Sequence, residues 1–140
     1  RLVGSEMCIR DRYTPSMELP DEEYPLIMMT GRILYHYNAC AMTDKTEGIN
    51  QIAGESFIEL NTEDAQKLGV EDGEMVSISS RRGTIQAKAT VSYKTNPGEC
   101  WMPFHYIEGG ANWLTSDALD SISSTPEYKV CTVKVEKITA

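Results

Sequence analysis

The segment TGRILYHYNAC, residues 30–40, gathers a guanidinium, an imidazole, two phenols and an amide within eleven residues. It directly follows YPLIMM, residues 24–29, an apolar run whose length is typical of a buried strand. Loops that leave a rigid strand are a common place for ligand-binding groups. The segment is therefore a candidate binding loop, with Arg32, His36 and Asn38 as its polar side chains.

Two further polar clusters follow predicted strands or precede one later in the chain. They comprise His105, Tyr106, Gly109, Gly110, Asn112 and Trp113, and then Pro126, Glu127, Tyr128 and Lys129. Arg32 and Lys129 suit a phosphate or a carbonyl-rich ring, whereas an imidazole or an amide both donates and accepts. Adjacent glycines permit close backbone approach to a ligand. Each residue alone also fits a structural role, but the three clusters together favour a ligand site.

Sequence motifs for autonomous catalysis are missing from the chain. It contains no GxSxG, HExxH, Walker or GxGxxG pattern. The cysteines at positions 8, 40, 100 and 131 form no CxxC pair, so no zinc or iron–sulfur site is predicted. A stand-alone hydrolase or decarboxylase would need a nucleophile beside a base, and the sequence places no cysteine near a histidine. We therefore predict neither catalytic residues nor metal ligands.

The elements that must position the polar clusters are short strands. Alternating or continuous apolar runs predict five or six of them, from candidates at residues 24–29, 55–60, 75–79, 84–93, 100–104 and 129–135. Asn61 or Thr62 is expected to cap a helix that ends at Gly69, and residues 114–119 are a second, short helical candidate. A polar loop is expected over residues 30–48, and a hairpin turn with solvated Arg81 and Arg82. Such short strands favour a closed barrel, because closure removes exposed sheet edges.

Length and composition indicate one globular domain at residues 24–140, preceded by an extended lead-in at residues 1–23. We exclude the first dozen residues from the fold argument as an artefact of cloning or read-through. The net charge of −8 argues against binding to nucleic acid or to an acidic membrane surface, and no apolar run approaches the length of a membrane span. Four cysteines could form two disulfides, but a globular chain of this size does not need them, so we expect reduced thiols and a cytoplasmic setting.

Four stretches taken in order carry a family resemblance. TGR with its following histidine, NTEDAQKLGVEDGEMVSISSRRGTIQAKATV, GANWLT and TPEYKVCTVKVEKI together resemble the C-terminal domain of molybdopterin oxidoreductases, most closely that of formate dehydrogenase catalytic subunits. The similarity covers about residues 24–138. It implies a mainly β fold, a six-stranded double-psi β-barrel. It also implies one wall of a site for molybdopterin guanine dinucleotide, the cofactor that holds molybdenum or tungsten.

The resemblance assigns eight residues to cofactor contacts. Arg32 and His36 lie where the family holds the pyranopterin and the phosphates, and Asn38 lies where a small hydroxyl or amide residue usually follows that histidine. The second loop and the C-terminal segment supply the remaining contacts: Phe104, His105, Asn112, Tyr128 and Lys129. Phe104 stands where the family often has tyrosine, and Ile33 stands where a polar residue can occur.

The resemblance also implies that the chain has no turnover alone. The metal-ligating cysteine or selenocysteine and an iron–sulfur cluster would belong to upstream domains of the same subunit, which are its expected partners together with electron-transfer subunits. No nucleic acid and no membrane insertion are expected. The alternatives are the same domain from a nitrate, sulfoxide or arsenic-compound oxidoreductase, or a double-psi barrel that acts as a non-enzymatic binding module.

Overall fold

The computed structural model describes residues 15–138 and contains six strands and two α-helices. The strands are β1 (Leu26–Gly31), β2 (Phe57–Asn61), β3 (Met75–Ser79), β4 (Thr84–Ser92), β5 (Glu99–Pro103) and β6 (Val130–Lys137). The helices are α1 (Glu47–Ala53) and α2 (Thr62–Leu68), and short 3-10 helices occupy Thr43–Lys45 and Ala111–Trp113. None of the described helices is long and apolar enough to cross a membrane.

The six strands close into one barrel in the order β1-β5-β2-β4-β3-β6. Two strand pairs are parallel, β1 with β5 and β2 with β4, and the remaining neighbours are antiparallel. Exchanging β1 with β4, β2 with β5 and β3 with β6 leaves the ring order unchanged, so the barrel has a pseudo-two-fold arrangement of two three-strand halves. This is the double-psi barrel predicted from the sequence, and the prediction is confirmed.

The barrel interior holds one apolar core formed by alternate residues of the strands. Along β4 the buried positions are Ile85, Ala87 and Ala89, with Val91 packed at the margin of the core, as the alternating pattern predicted. Side chains from the other elements fill the centre and are completely buried: Met28, Ile58, Leu60, Ile78, Met102, Leu114 and Val133. Period-two burial fixes the register of each strand, because a one-residue slip would expose this entire set.

Helix α2 follows the capping chemistry read from its sequence. The Asn61 side chain accepts a hydrogen bond from the Glu63 amide at 2.9 Å, which satisfies one of the free donors of the first turn. Gly69 ends the helix in the left-handed conformation, with φ of 67°, where glycine has no steric penalty. Both ends of α2 were therefore predicted correctly.

Other predicted elements differ from the structure. The loop expected over residues 30–48 is interrupted by the 3-10 helix and ends where α1 begins. Helix α1 has no completely buried residue, so its sequence lacks the apolar periodicity that would have predicted it. Residues 114–119 contain no helix, and the 3-10 turn immediately before them takes that place. Strand ends shift by one or two residues at β1, β2, β5 and β6, and by one residue at β4. The interpretation of residues 1–12 concerns residues outside the described part of the chain.

The hairpin turn between β3 and β4 corrects one prediction. Arg81 and Arg82 were expected to be solvated, but both bind the buried carboxylate of Glu18. Arg82 also donates to the Leu114 carbonyl at 2.8 and 3.0 Å, and Arg81 pairs with Asp21 as well. We call Glu18, Asp21, Arg81, Arg82 and Thr132 the Glu18 cluster. It attaches the lead-in to the barrel.

Candidate functional site

Three segments meet at one end of the barrel because of how β1 is paired. Strand β1 runs parallel to β5, with Gly31 opposite Pro103, and antiparallel to β6, with Met29 opposite Val130. The residues that follow β1, follow β5 and precede β6 therefore emerge at the same end. The topology thus brings together the three polar clusters, although the first and the last are about a hundred residues apart in the sequence.

Phe104 lies at the centre of this end of the barrel. Its amide donates to the Gly31 carbonyl at 3.2 Å, which continues the β1–β5 pairing by one residue. The Arg32 guanidinium lies 5.6 Å from the Phe104 ring centroid, and the Lys129 ammonium lies 5.8 Å from it. The Tyr128 ring packs edge-on at 6.3 Å. Both cations are thus within the range of a cation–π interaction with one ring.

Two amide side chains complete this surface. Asn38 accepts a hydrogen bond from Arg32 Nη2 at 3.2 Å, and Asn112 Nδ2 donates to the Phe104 carbonyl at 3.4 Å. We call the surface the Phe104 face, and it comprises Arg32, Asn38, Phe104, Asn112, Tyr128 and Lys129. Five of its residues are exposed and Phe104 is half-buried. Six of the eight predicted site residues therefore lie together.

The cations of the Phe104 face differ from the others in the described part of the chain. Between residues 15 and 138, every lysine and arginine except Arg32, Lys45 and Lys129 forms an ion pair with a carboxylate. Within residues 15–138, the one hydrogen bond that Lys129 donates is to the Thr30 carbonyl, at 3.3 Å. The chain has a net charge of −8, yet two of the three described cations that lack a carboxylate partner lie over the same aromatic ring.

His36 and His105 lie behind this face and are buried, with exposed fractions of 5% and 2%. Their rings are 4.8 Å apart, and the His105 ring is 6.4 Å from that of Phe104. His36 Nδ1 lies 2.9 Å from Thr43 Oγ1, and its Nε2 lies 2.6 Å from the Ala53 carbonyl oxygen. These two histidines do not reach the exposed surface that the other six predicted residues form.

Burial determines the protonation of the groups around these histidines. It lowers the pKa of His105 to about 4, with a further contribution from the nearby His36, so His105 is neutral at pH 7. Burial also raises the pKa of Tyr106 to about 12, and the Tyr106 hydroxyl donates to the Ala53 carbonyl at 2.8 Å. His105 and Tyr106 are therefore both uncharged at pH 7, and the Tyr106 hydrogen bond ties the loop after β5 to the end of α1.

Two site features were missed or misread in the sequence. Cys40 packs beside both histidines, although the sequence placed no cysteine near one; the only signal was its position four residues after His36. Gly109 and Gly110, read as room for a ligand, instead pack on backbone. An added Cβ would lie 2.6 Å from the Gln86 carbonyl oxygen at Gly109, and 2.6 Å from that of Tyr106 at Gly110.

Comparisons with known proteins identify the family of this domain. The family model described as "Molydopterin dinucleotide binding domain" matches residues 26–132. The chain is 52% identical over 121 residues, 86% of its length, to F420-dependent formate dehydrogenase 2 subunit alpha of Methanococcus maripaludis, of which it covers 18%. It is 44% identical over 124 residues, again 86% of its length, to a nitrate reductase of Symbiobacterium thermophilum, of which it covers 16%. The chain thus spans less than a fifth of the length of these relatives.

A solved structure shares the fold. Acetylene hydratase from Pelobacter acetylenicus superposes with a TM-score of 0.72 over 82% of this chain and 18% of that one. The two sequences are 18% identical in the aligned region. This similarity supports the barrel architecture and says nothing of the reaction.

Proposed function

Because the chain belongs to the molydopterin dinucleotide binding domain family, we propose that its Phe104 face holds part of a molybdopterin guanine dinucleotide within a larger oxidoreductase. The observation that carries this proposal is the pair of cations, Arg32 and Lys129, that lie over one ring without a carboxylate partner among residues 15–138. A phosphate-bearing ligand supplies the missing negative charge.

The donor set of the Phe104 face fits such a cofactor. Guanidinium and ammonium groups form short, charge-assisted hydrogen bonds with phosphate oxygens. Arg32 supplies the guanidinium from the loop after β1, and Lys129 supplies the ammonium from the segment before β6. The amides of Asn38 and Asn112 can each donate and accept, as the edges of a pterin or guanine ring require. Phe104 offers an apolar surface between them. Five of the six residues of the face are exposed and Phe104 is half-buried, so the contacts are open to a ligand.

The two histidines predicted as cofactor contacts have a different role in this proposal. His36 and His105 are buried, so they support the Phe104 face from behind rather than touch a ligand on it. His36 holds the loop after β1 against α1 through the Ala53 carbonyl. Tyr106 bonds to the same carbonyl from the loop after β5. Together they fix the separation of the two loops that carry Arg32 and Asn112.

The chain's own contribution is to bind and orient the cofactor. When bound, molybdopterin guanine dinucleotide supplies a molybdenum or tungsten centre for oxygen-atom or electron-transfer chemistry. The described residues provide positive charge for the phosphates, amides for the rings and an apolar floor that excludes water. We expect the isolated chain to have no turnover.

Exposed apolar side chains beside the site favour a contact with partner domains. The segments after β1 and β5 and the helix α1 expose large hydrophobic residues: Leu34, Tyr37, Met42, Ile52 and Ile107. Such residues gathered near one end of a domain commonly mark a contact surface. We propose that upstream domains of the same subunit, which carry the iron–sulfur cluster, cover this end and that electron-transfer subunits complete the enzyme.

Formate is the proposed substrate of the intact enzyme, since formate dehydrogenase subunits are among the most similar relatives. The similarity to a nitrate reductase favours a second candidate, a nitrate-reducing member of the family. A cytoplasmic setting belongs to the same proposal, and it is supported by the free thiols of Cys40, Cys100 and Cys131.

Cofactor content in the intact oxidoreductase tests this proposal. Lys129→Ala and Asn112→Ala should each lower the pterin and the molybdenum or tungsten recovered per purified subunit. Lys45→Ala is the matched control, because Lys45 also lacks a carboxylate partner within residues 15–138 but makes no contact with Phe104. Full pterin and metal content in both face variants would overturn the site assignment.

A further inference from the structure

The buried cluster of His36, Cys40 and His105 has the composition of a metal site. One potential ligand atom from each residue lies within 4.8 Å of the other two. The three side chains are at least 95% buried. They come from the loops after β1 and β5, behind the Phe104 face.

His105 supplies an independent reason to expect a ligand. Among residues 15–138, neither His105 Nδ1 nor Nε2 has a hydrogen-bond partner, although the residue is 98% buried. Leaving a buried donor or acceptor unsatisfied costs about 1–3 kcal/mol, and such groups are few in folded proteins. A cation bound between His105 and Cys40 would give one of these nitrogens a partner.

His36 makes the outer hydrogen bond that metal-ligating histidines make, although a metal ion at its other nitrogen would have to displace the Thr43 hydroxyl. Its Nε2 lies 2.6 Å from the Ala53 carbonyl oxygen. A carbonyl only accepts, so this nitrogen carries the proton. The lone pair of neutral His36 is then on Nδ1, which lies 2.9 Å from the Thr43 hydroxyl. Histidines that bind metals usually donate their second nitrogen to a carbonyl or carboxylate.

A cation has a path to the cluster. A surface depression of about 730 Å³ reaches Cys40, and its wall carries the carboxylates of Asp44, Glu55 and Glu108. Lys88 also lines it and pairs with Glu55 at 2.5 Å, which leaves a surplus of negative charge. Charge of one sign in a concave surface raises the local concentration of ions of the opposite sign.

We propose that His36 Nδ1, Cys40 Sγ and one nitrogen of His105 bind a single Zn²⁺ ion. Imidazole and thiolate ligands suit zinc, and a water molecule would occupy the fourth tetrahedral position. Binding releases the thiol proton of Cys40 to solvent. Bonds of about 2.0–2.3 Å place ligand atoms roughly 3.3–3.8 Å apart, so the cluster must contract by about 1 Å through side-chain rotation. The ion would join the two loops that carry the Phe104 face, and it is separate from the cofactor's own metal.

Cobalt substitution in the metal-free 140-residue chain tests the site. Wild-type protein should bind one Co²⁺ with a thiolate-to-cobalt charge-transfer band and tetrahedral visible absorption, and Zn²⁺ should displace it. Cys40→Ser should abolish the charge-transfer band, and His105→Gln should weaken Co²⁺ binding at least about tenfold. Cys131→Ser is the matched control, since Cys131 is equally buried but lies outside the cluster; its band should remain. Arg32→Ala should keep the band too, which separates this proposal from cofactor binding.

X-ray absorption of the zinc-loaded wild-type chain tests the same ligands without any variant, so it applies even if a variant fails to fold. The spectrum should contain one sulfur ligand at about 2.3 Å and nitrogen ligands at about 2.0–2.1 Å. Zinc with no sulfur ligand, or a charge-transfer band that persists in folded Cys40→Ser, would overturn the proposal. A folded wild-type chain that binds no Co²⁺ would overturn it as well.

Discussion

Two pairs of cations on this barrel have similar chemistry and opposite surroundings. Arg81 and Arg82 share the carboxylate of Glu18, at 2.8 and 2.9 Å, and Arg82 binds the Leu114 carbonyl as well. Arg32 and Lys129 both lie over the ring of Phe104 and pair with no carboxylate among residues 15–138. The first pair has every charge compensated inside the chain, whereas the second pair leaves positive charge available to a ligand.

The presence or absence of a carboxylate partner distinguishes a structural cation from a binding cation, whereas residue type does not, since arginine occurs in both pairs. Glu18 is buried and also accepts from the Thr132 amide at 3.0 Å, so the Glu18 cluster contributes to folding. The Phe104 face has no equivalent carboxylate among the described residues, so it contributes little to folding and can contribute to binding. Each of the following experiments tests one side of this contrast.

The largest effect is expected from Glu18→Ala. The change leaves two guanidiniums and the Thr132 amide without their shared acceptor, and breaking a buried ion pair costs about 3–5 kcal/mol. Because Arg81 is partly exposed, we expect a loss near the lower end, about 3 kcal/mol, in the free energy of unfolding measured with urea. Glu22→Ala, an exposed acid of the same segment, should change it by less than about 0.5 kcal/mol. Equal effects would mean that the cluster is not structural.

Arg32→Ala and Arg82→Ala compare the two cation pairs directly. We expect Arg32→Ala to leave the free energy of unfolding within about 0.5 kcal/mol of wild type and Arg82→Ala to lower it by roughly 1.5–3 kcal/mol, the range for hydrogen bonds to charged groups. GDP carries the pyrophosphate and guanine of the proposed cofactor. In calorimetric titrations of the chain with GDP, Arg32→Ala should lower the affinity more than Arg82→Ala does. A GDP affinity that falls more in Arg82→Ala would contradict the contrast.

Acid should weaken the Glu18 cluster before it affects the Phe104 face. Burial raises the pKa of Glu18, but hydrogen bonds from Arg82, the Thr132 amide and Arg81 outweigh it and hold the pKa below the ordinary value of 4.5. The unfolded chain therefore binds this proton more readily, and the stability due to Glu18 is present above about pH 4.5 and is lost as the pH falls through the folded-state pKa.

The measurement is the difference in unfolding free energy between wild type and Glu18→Gln as a function of pH. Glutamine resembles the protonated acid, so the difference should shrink as the solution is acidified. The effect should be smaller than that of Glu18→Ala, because a protonated carboxyl still accepts through one oxygen. A difference that stays constant into the acid range would contradict the lowered pKa.

The sequence predicted the contrast only in part, for a physical reason. The strands follow period two, and α2 has both caps in its own sequence, so these local features could be read directly. Glu18 lies more than sixty residues from Arg81, and no local pattern links them. Cys40 meets His105 for the same reason, since only barrel closure brings the loops after β1 and β5 together. The three segments of the Phe104 face were recognised as polar clusters beside predicted strands, and the family resemblance then assigned individual residues to the cofactor, but no spacing predicted that the segments meet at one end of the barrel.

The smallest effect is expected at Phe104 itself. Phe104→Leu keeps an apolar side chain but removes the ring that both cations approach, and exposed cation–π pairs contribute about 0.5–1 kcal/mol each. We expect GDP to bind roughly three- to tenfold more weakly while the free energy of unfolding changes by only about 1 kcal/mol. Phe104→Tyr is the matched control, because it keeps the ring and restores the hydroxyl that the family resemblance implies at this position. If Phe104→Leu binds GDP as wild type does while Arg32→Ala does not, the ring fills space without orienting the cations, and the binding role belongs to the charges alone.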